Sequence, residues 1–253
     1  MKTPYSELKR DCQNLHNFTE QDIHKFISLV KINKNENILD AMAGNGAIAK
    51  ELSKINNINL YVLDKFEAQI NEAKKNIVKA KFFVSSSLKM PFLDNFFNKI
   101  FIRNGIHEIT KNKQIELYKE IFRVLKNQGY FINWTVKLDK THQKAFNELI
   151  RKKDEIAEFD ELTKNRYFAT KEELAYNLKE AGFSQIKFIN TNINYTLSTK
   201  KWFEIDFKGD KTKYEKLNNY IKSLNIPGIN IKNLGKNGFE IKVPALISIA
   251  KKD

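Results

Sequence analysis

Two carboxylates flank a glycine turn early in the chain. In Ile38-Leu-Asp40-Ala41-Met42-Ala-Gly44-Asn45-Gly46 a short apolar run ends in an acid, and the chain then turns on two glycines. Glycine belongs where backbone must take a positive φ or approach a ligand with no Cβ in the way. Asp64 follows Gly46 by 18 residues and ends a second apolar run, Asn59-Leu-Tyr-Val-Leu-Asp64. In a βαβ unit an acid at that spacing lies beside the turn and can accept both hydroxyls of a ribose. Gly44-Asn-Gly46-Ala-Ile-Ala49 formally fits the dinucleotide pattern G-x-G-x-x-G/A. Asp40, however, stands four residues before Gly44, where its charge opposes a pyrophosphate and suits an ammonium group. S-adenosylmethionine has an amine and a ribose and lacks a phosphate, so charge sign favours a methyl donor over a nicotinamide dinucleotide.

The elements that must position these acids follow from periodicity. Ile23, Phe26, Ile27 and Val30 share one helical face over 20–31, with Thr19 as N-cap. Strands are expected at 37–41, 59–64, 81–85, 99–103 and 130–135, with helices at 47–54, 66–79 and 112–125, the last closed by Gly129. Strands alternating with helices of this length predict a parallel sheet covered on both faces. Right-handed crossovers then collect the strands' carboxyl ends on one edge, where ligands bind. Beyond Trp134 the pattern loosens. A charged helix and loop occupies 139–170, a helix 171–181 ends at Gly182, and a sixth strand covers 185–191. An amphipathic helix lies near 211–224, with Tyr214, Leu217, Ile221 and Leu224 turned inward, and a strand closes the chain at 244–250.

The turn resembles motif I of the class I, Rossmann-like S-adenosylmethionine-dependent methyltransferases, an acid followed by glycine at every second position. Asp40, Gly44 and Gly46 match it, and Met42 stands where the first glycine is usual. Asp64 matches the family's ribose-binding acid. Ser85-Ser-Ser-Leu-Lys-Met-Pro91-Phe resembles the stretch ending in Leu-Pro-Phe, with Ser86 in place of the acid that accepts from the adenine amino group; a serine hydroxyl can accept too, and Ser87 offers its backbone N–H. The likeness continues through Asn104-Gly-Ile-His107-Glu108, Phe122-Arg-Val-Leu-Lys-Asn-Gln-Gly129, Glu180-Ala-Gly-Phe183 and Ile247-Ser-Ile-Ala, over residues 36–192 and 243–252. It is similar in particular to the ubiquinone/menaquinone-biosynthesis-type and other small-molecule methyltransferases. The resemblance implies a three-layer α/β fold with a seven-stranded, mostly parallel sheet, its last strand inserted antiparallel, plus helical cap elements. It also implies cofactor contacts from Asp40, Ala41, Met42, Gly44, Asn45, Gly46, Asp64, Lys65, Ser86, Ser87 and Asn104.

Methyl transfer is an in-line displacement that needs positioning, plus a base when the nucleophile carries a proton. His107, just past the fourth strand, is the candidate base; Glu108 could orient it or be a solvated helix residue. His16, His24 and His142 read as surface residues. Acceptor selectivity is expected from the cap segments 1–20, 136–170 and 196–242, with Tyr5, Trp134, Arg166, Tyr167 and Trp202 as candidate contacts. No paired-Cys or H-E-x-x-H pattern calls for a metal, and Cys12 lies outside any nucleophile motif. Asn104-Gly-Ile-His stands where nucleic-acid amino-methylating relatives carry Asn/Asp-Pro-Pro-Tyr/Phe.

The 253 residues are 42% hydrophobic and 29% charged, enough apolar content to build a core and unlike disordered or collagen-like chains. They read as one domain with a helical cap at 1–30, a cofactor half at 31–135 and a substrate half at 136–253. A single cysteine permits no internal disulfide and suits a reducing cytoplasm. No apolar run approaches the roughly 20 residues of a membrane span, and the N-terminus lacks a signal peptide's apolar stretch. Lys and Arg number 44 against 30 Asp and Glu, a net charge of +14. That surplus keeps RNA open as an alternative substrate, although the cations are scattered and Asn and Ile abound. A small-molecule acceptor is the leading expectation, and a non-catalytic binding module on the same fold is the third.

Overall fold

The computed structural model describes residues 18–224, 226 and 229–253. Its first helix, α1 (Glu20–Ile27), starts as a capping box: the Asp22 amide donates to Thr19 Oγ1 at 3.1 Å and the Thr19 amide to Asp22 Oδ2 at 3.0 Å, a device worth about 1 kcal/mol. Ile23, Phe26 and Ile27 on its inner face are buried. Strand β1 (Asn37–Ala41) then enters the sheet centre, buried on both faces as a parallel strand must be. Alternation follows through α2 (Ala47–Leu52), β2 (Asn59–Asp64), α3 (Glu67–Asn76), β3 (Lys81–Val84), β4 (Phe97–Arg103), α4 (Lys111–Val124) and β5 (Leu125–Val136). Helices α5 (Lys140–Ile156), α6 (Asp160–Asn165) and α7 (Lys171–Glu180) precede β6 (Gln185–Ser198). Helices α8 (Thr199–Ile205) and α9 (Lys211–Lys222), then β7 (Asn230–Asn233) and β8 (Phe239–Lys251), complete the chain.

The strand order is β3-β2-β1-β4-β5-β8-β6, with β7 paired to β8. Strands β1 to β5 run parallel, and β8 inserts antiparallel between β5 and β6, as the resemblance implies. Helices α4 and α7 cover one face, where Leu117, Tyr118, Ile121, Leu174 and Leu178 pack on Ile100, Ile102 and Phe131. The other face holds α1, α2, α3, α5 and α9, packed on Ile38, Phe101, Ile132 and Trp134. Strands β1 and β4 lie side by side although their crossovers lead away in opposite directions, which opens a crevice at their carboxyl ends. No helix among the described residues is long and apolar enough to cross a membrane.

Three differences from the sequence reading have local causes. The sheet has eight strands, because β7 pairs with the overhanging start of β8, Asn233 opposite Phe239. Strands β6 and β8 are longer than expected, running to Ser198 and from Phe239, and they pair with each other as far as Ser198 opposite Glu240. Gly129 does not close α4; that helix ends at Val124, and β5 begins at Leu125 opposite Phe97 before a register shift to Tyr130 opposite Lys99. A Cβ at Gly129 would meet the Lys126 carbonyl at 2.7 Å, so the glycine serves an irregular strand. The inward face of α9 is as expected: Leu217 and Ile221 are buried, and Tyr214 and Leu224 pack against the same core.

Candidate functional site

The turn after β1 is held open by left-handed backbone. Met42, Gly44 and Gly46 take φ of 53°, 56° and 79°. Only glycine adopts this region freely, so Met42 carries a local cost. Space for its side chain comes from Gly105 after β4, where a Cβ would fall 2.6 Å from Met42 Cβ. The missing first glycine of the motif is thus matched by a glycine 63 positions later. Gly46 is needed twice over, because a Cβ there would also lie 2.7 Å from Ile77 Cδ1 of the segment after α3.

The two acids are tied to this turn. Asp40 Oδ2 accepts from the Ala49 amide in the first turn of α2 at 2.9 Å. Burial pushes the Asp40 carboxyl up to about 7, while the Ala49 amide and the nearby Arg103 charge oppose that rise. Asp64 accepts from the Gly44 amide at 2.8 Å through one oxygen and from the Phe66 amide at 2.9 Å through the other. Burial raises the Asp64 pKa as well, against those two amides and with Glu108 adding to the rise. Each oxygen of Asp64 keeps a lone pair beyond its amide.

These groups line a cavity of about 330 Å³ at the carboxyl ends of β1, β2 and β4, within the size range of small-molecule sites. Of the residues expected to touch a cofactor, Asp40, Met42, Gly44, Asn45, Asp64, Lys65, Ser86, Ser87 and Asn104 line it. Ala41 and Gly46 do not: Ala41 is buried beneath the turn and Gly46 packs toward α3. Asn104 has φ of 57°, and its Oδ1 accepts from the Tyr195 hydroxyl of β6. Ser86 Oγ accepts from the Leu88 amide at 3.2 Å. Glu108, expected either to orient His107 or to be solvated, lies on the cavity wall, as do Gln69, Arg103, Gly105, Lys113, Glu161 and Asn165, which the sequence did not single out. Arg103 was findable, since it ends β4 as Asp40 and Asp64 come at the ends of β1 and β2. Glu161 and Asn165 come from α6, inside the expected 136–170 cap, and Glu161 pairs with Lys65 at 2.7 Å across the rim.

The remaining expected residues lie elsewhere. His107 occupies a 3-10 turn after β4 and stacks on Phe168 with ring centroids 4.2 Å apart; it is not among the cavity-lining residues. Trp134 and Trp202 are buried in the core. Tyr167 donates to Glu173 at 2.7 Å beside α7, on a separate open surface. Arg166 joins a buried ion cluster: it pairs with Asp154 at 2.9 Å and reaches Glu108 at 3.8 Å. Lys153 completes the cluster, at 2.6 Å from Asp154 and 2.9 Å from Asp206. Tyr5 and His16 fall outside the described residues. His142 is buried rather than on the surface, with its Nδ1 2.7 Å from Asp139 Oδ1 at the start of α5.

The site fits a nucleoside carrying an ammonium group. Asp64 offers two half-used oxygens to vicinal hydroxyls, and the second Asp40 oxygen makes no hydrogen bond with a described residue. A pyrophosphate in this cavity would face both acids.

The chain is similar to known methyltransferases in sequence and in fold. The model of the methyltransferase domain family matches residues 38–129. The chain is 40% identical over 112 residues to the ubiquinone/menaquinone biosynthesis C-methyltransferase UbiE of Rickettsia typhi, a stretch covering 40% of this chain and 44% of that protein. It is 32% identical over 184 residues to the same-named protein of Rickettsia bellii, covering 62% and 72%. Among solved structures, the YcgJ protein from Bacillus subtilis superposes with a TM-score of 0.76 at 16% identity, over 93% of this chain and 100% of that one. A Haemonchus contortus phosphoethanolamine N-methyltransferase 2 in complex with S-adenosyl-L-methionine gives 0.57 at 16% identity, over 96% and 60%.

Proposed function

The chain belongs to the class I S-adenosylmethionine-dependent methyltransferases, and from that premise we propose that it transfers a methyl group to a small-molecule acceptor, with carbon as the accepting atom. The choice of carbon rests on the C-methyltransferase names of its Rickettsia relatives. The observation that carries the proposal is the pairing of Asp40 and Asp64 on one cavity, on either side of a left-handed turn. When bound, S-adenosylmethionine supplies an electrophilic methyl on a sulfonium sulfur. Asp64 would hold the ribose hydroxyls, Asp40 the amine, and Ser86 with Ser87 the adenine edge. Ionised Asp40 also favours the positively charged nucleoside over neutral competitors.

The chain's own contribution is chiefly orientation. Backbone amides fix Asp64 before any ligand arrives, so little ordering is left for the binding step. A carbon acceptor must shed a proton once it is methylated. Glu108 on the cavity wall is the base we put forward in place of His107, with Arg166 holding it. The test is calorimetric titration of the full chain with S-adenosylmethionine and S-adenosylhomocysteine. Micromolar binding by the wild type, lost in Asp64→Ala, is the expected outcome; equal affinity in both proteins refutes the assignment.

A further inference from the structure

Arg103 ends β4 on the cavity wall. Its guanidinium makes no hydrogen bond or ion pair with any described residue, and one terminal nitrogen is fully buried. Arginine stays charged at any pH a protein meets. The nearby Asp40 carboxylate answers part of its charge, but a half-buried guanidinium with no hydrogen-bond acceptor is still costly and calls for an explanation. The other cations on this wall are spoken for or exposed: Lys65 has Glu161, and Lys113 lies on the open face of α4.

The surroundings say which side of the cavity the charge serves. Phe18 lies 5.3 Å from the Arg103 guanidinium carbon, and its ring packs edge-on against Trp134 and Tyr195, each at 4.8 Å. Trp134 is the register partner of Arg103 on β5, and its buried Nε1 also lacks a partner among the described residues. Arg103 therefore stands on the β4 side of Asp40, with these rings packed behind it in the core rather than on the cavity wall. The glycines, Asp64 and the serines that suit a nucleoside lie on the β1–β2–β3 side.

We propose that Arg103 receives the carboxylate of the methyl acceptor, which makes the acceptor a small carboxylic acid. Guanidinium and carboxylate match in shape and charge, and the pair is strongest where water is excluded. This rests on the methyltransferase reading and adds a substrate class to it. Arg103 is a binding and orienting residue here and exchanges no proton.

The test uses the full chain saturated with S-adenosylhomocysteine, titrated with benzoate and with benzamide, its neutral counterpart. Wild type is expected to bind benzoate at least about tenfold tighter than benzamide, Arg103→Met to lose that preference, and Arg103→Lys to keep part of it. Equal preference in wild type and Arg103→Met, or no benzoate binding by loaded wild type, overturns the proposal. Affinities for S-adenosylhomocysteine and for 5′-methylthioadenosine, which lacks the amino-acid end, are measured on the same variants and also show whether each is folded. If Arg103→Met loses the first ligand while keeping the second, the guanidinium serves the nucleoside's own carboxylate and the acceptor assignment is wrong. Wild type that binds neither nucleoside counts against the methyltransferase reading; benzoate on the unloaded protein then judges Arg103 by itself.

Discussion

The cavity has two walls built in different ways. On the turn side, acids at strand ends bind backbone amides of the turns and the helix start within one βαβ unit, Asp40 to Ala49 and Asp64 to Gly44 and Phe66. On the helical side, Glu108 is reached by Arg166, which leans on Asp154, which shares Lys153 with Asp206, a chain of charges drawn from four distant segments. The first wall is short-range and needs only the sheet. The second exists only when α5, α6 and α8 are all docked. Affinity for the nucleoside should follow the first, and acceptor turnover the second.

The sharpest way to break that contrast is Asp154→Ala. Removing a fully buried partner leaves Lys153 and Arg166 short of an anion, and about 3–5 kcal/mol of stability should go. Urea unfolding measures it, and a loss below about 1 kcal/mol would mean the helical wall does not depend on the cluster. Next comes Asp64→Ala, expected to lower S-adenosylhomocysteine affinity by about a hundredfold through loss of charge-assisted hydrogen bonds. Its effect on unfolding should be the smaller of the two.

Gly105→Ala should cost about 1–3 kcal/mol by forcing a Cβ onto Met42, with most of it restored in the double variant Met42→Gly, Gly105→Ala. Additive losses in that double-mutant cycle would show that the two positions are not coupled. The smallest effect is a pH dependence. Asp40 ionises near 7 in the folded chain against an ordinary 3.8, and the ammonium needs the carboxylate. Nucleoside affinity should therefore fall by about tenfold from pH 8 to pH 6, and Asp40→Asn should flatten that slope. Stability runs the opposite way. Between about pH 4 and 7 the unfolded chain has released the Asp40 proton while the folded chain retains it, so this residue's contribution declines as pH rises and levels off above 7. Asp40→Asn should accordingly raise the melting temperature at pH 8 while it weakens binding.

Much of the turn wall was legible because strand-ending acids and glycines report local geometry. Asp40, Gly44 and Asp64 needed no knowledge of anything beyond one βαβ unit. Arg103 obeys the same rule at β4 but was lost among the many cations of a basic chain. Glu161 and Asn165 could not be read, since α6 reaches the cavity through its packing on α5, outside the cofactor-binding βαβ unit. Trp134 and Arg166 looked like acceptor contacts because large aromatics and arginines suit both cores and sites; burial decided for the core in one case and for the ion cluster in the other. Gly129 read as a helix stop because glycine commonly ends helices, yet it serves an irregular strand here.

The pairing of Ser198 with Glu240 has one more outcome. Everything between them, α8, α9 and β7, leaves and re-enters the fold at adjacent points on two neighbouring strands. That segment is a cassette: a shorter or foreign one could be spliced across the same gap without lengthening any strand of the cofactor half. Specificity could then be exchanged between relatives by grafting, with the methyl-donor machinery carried along unchanged.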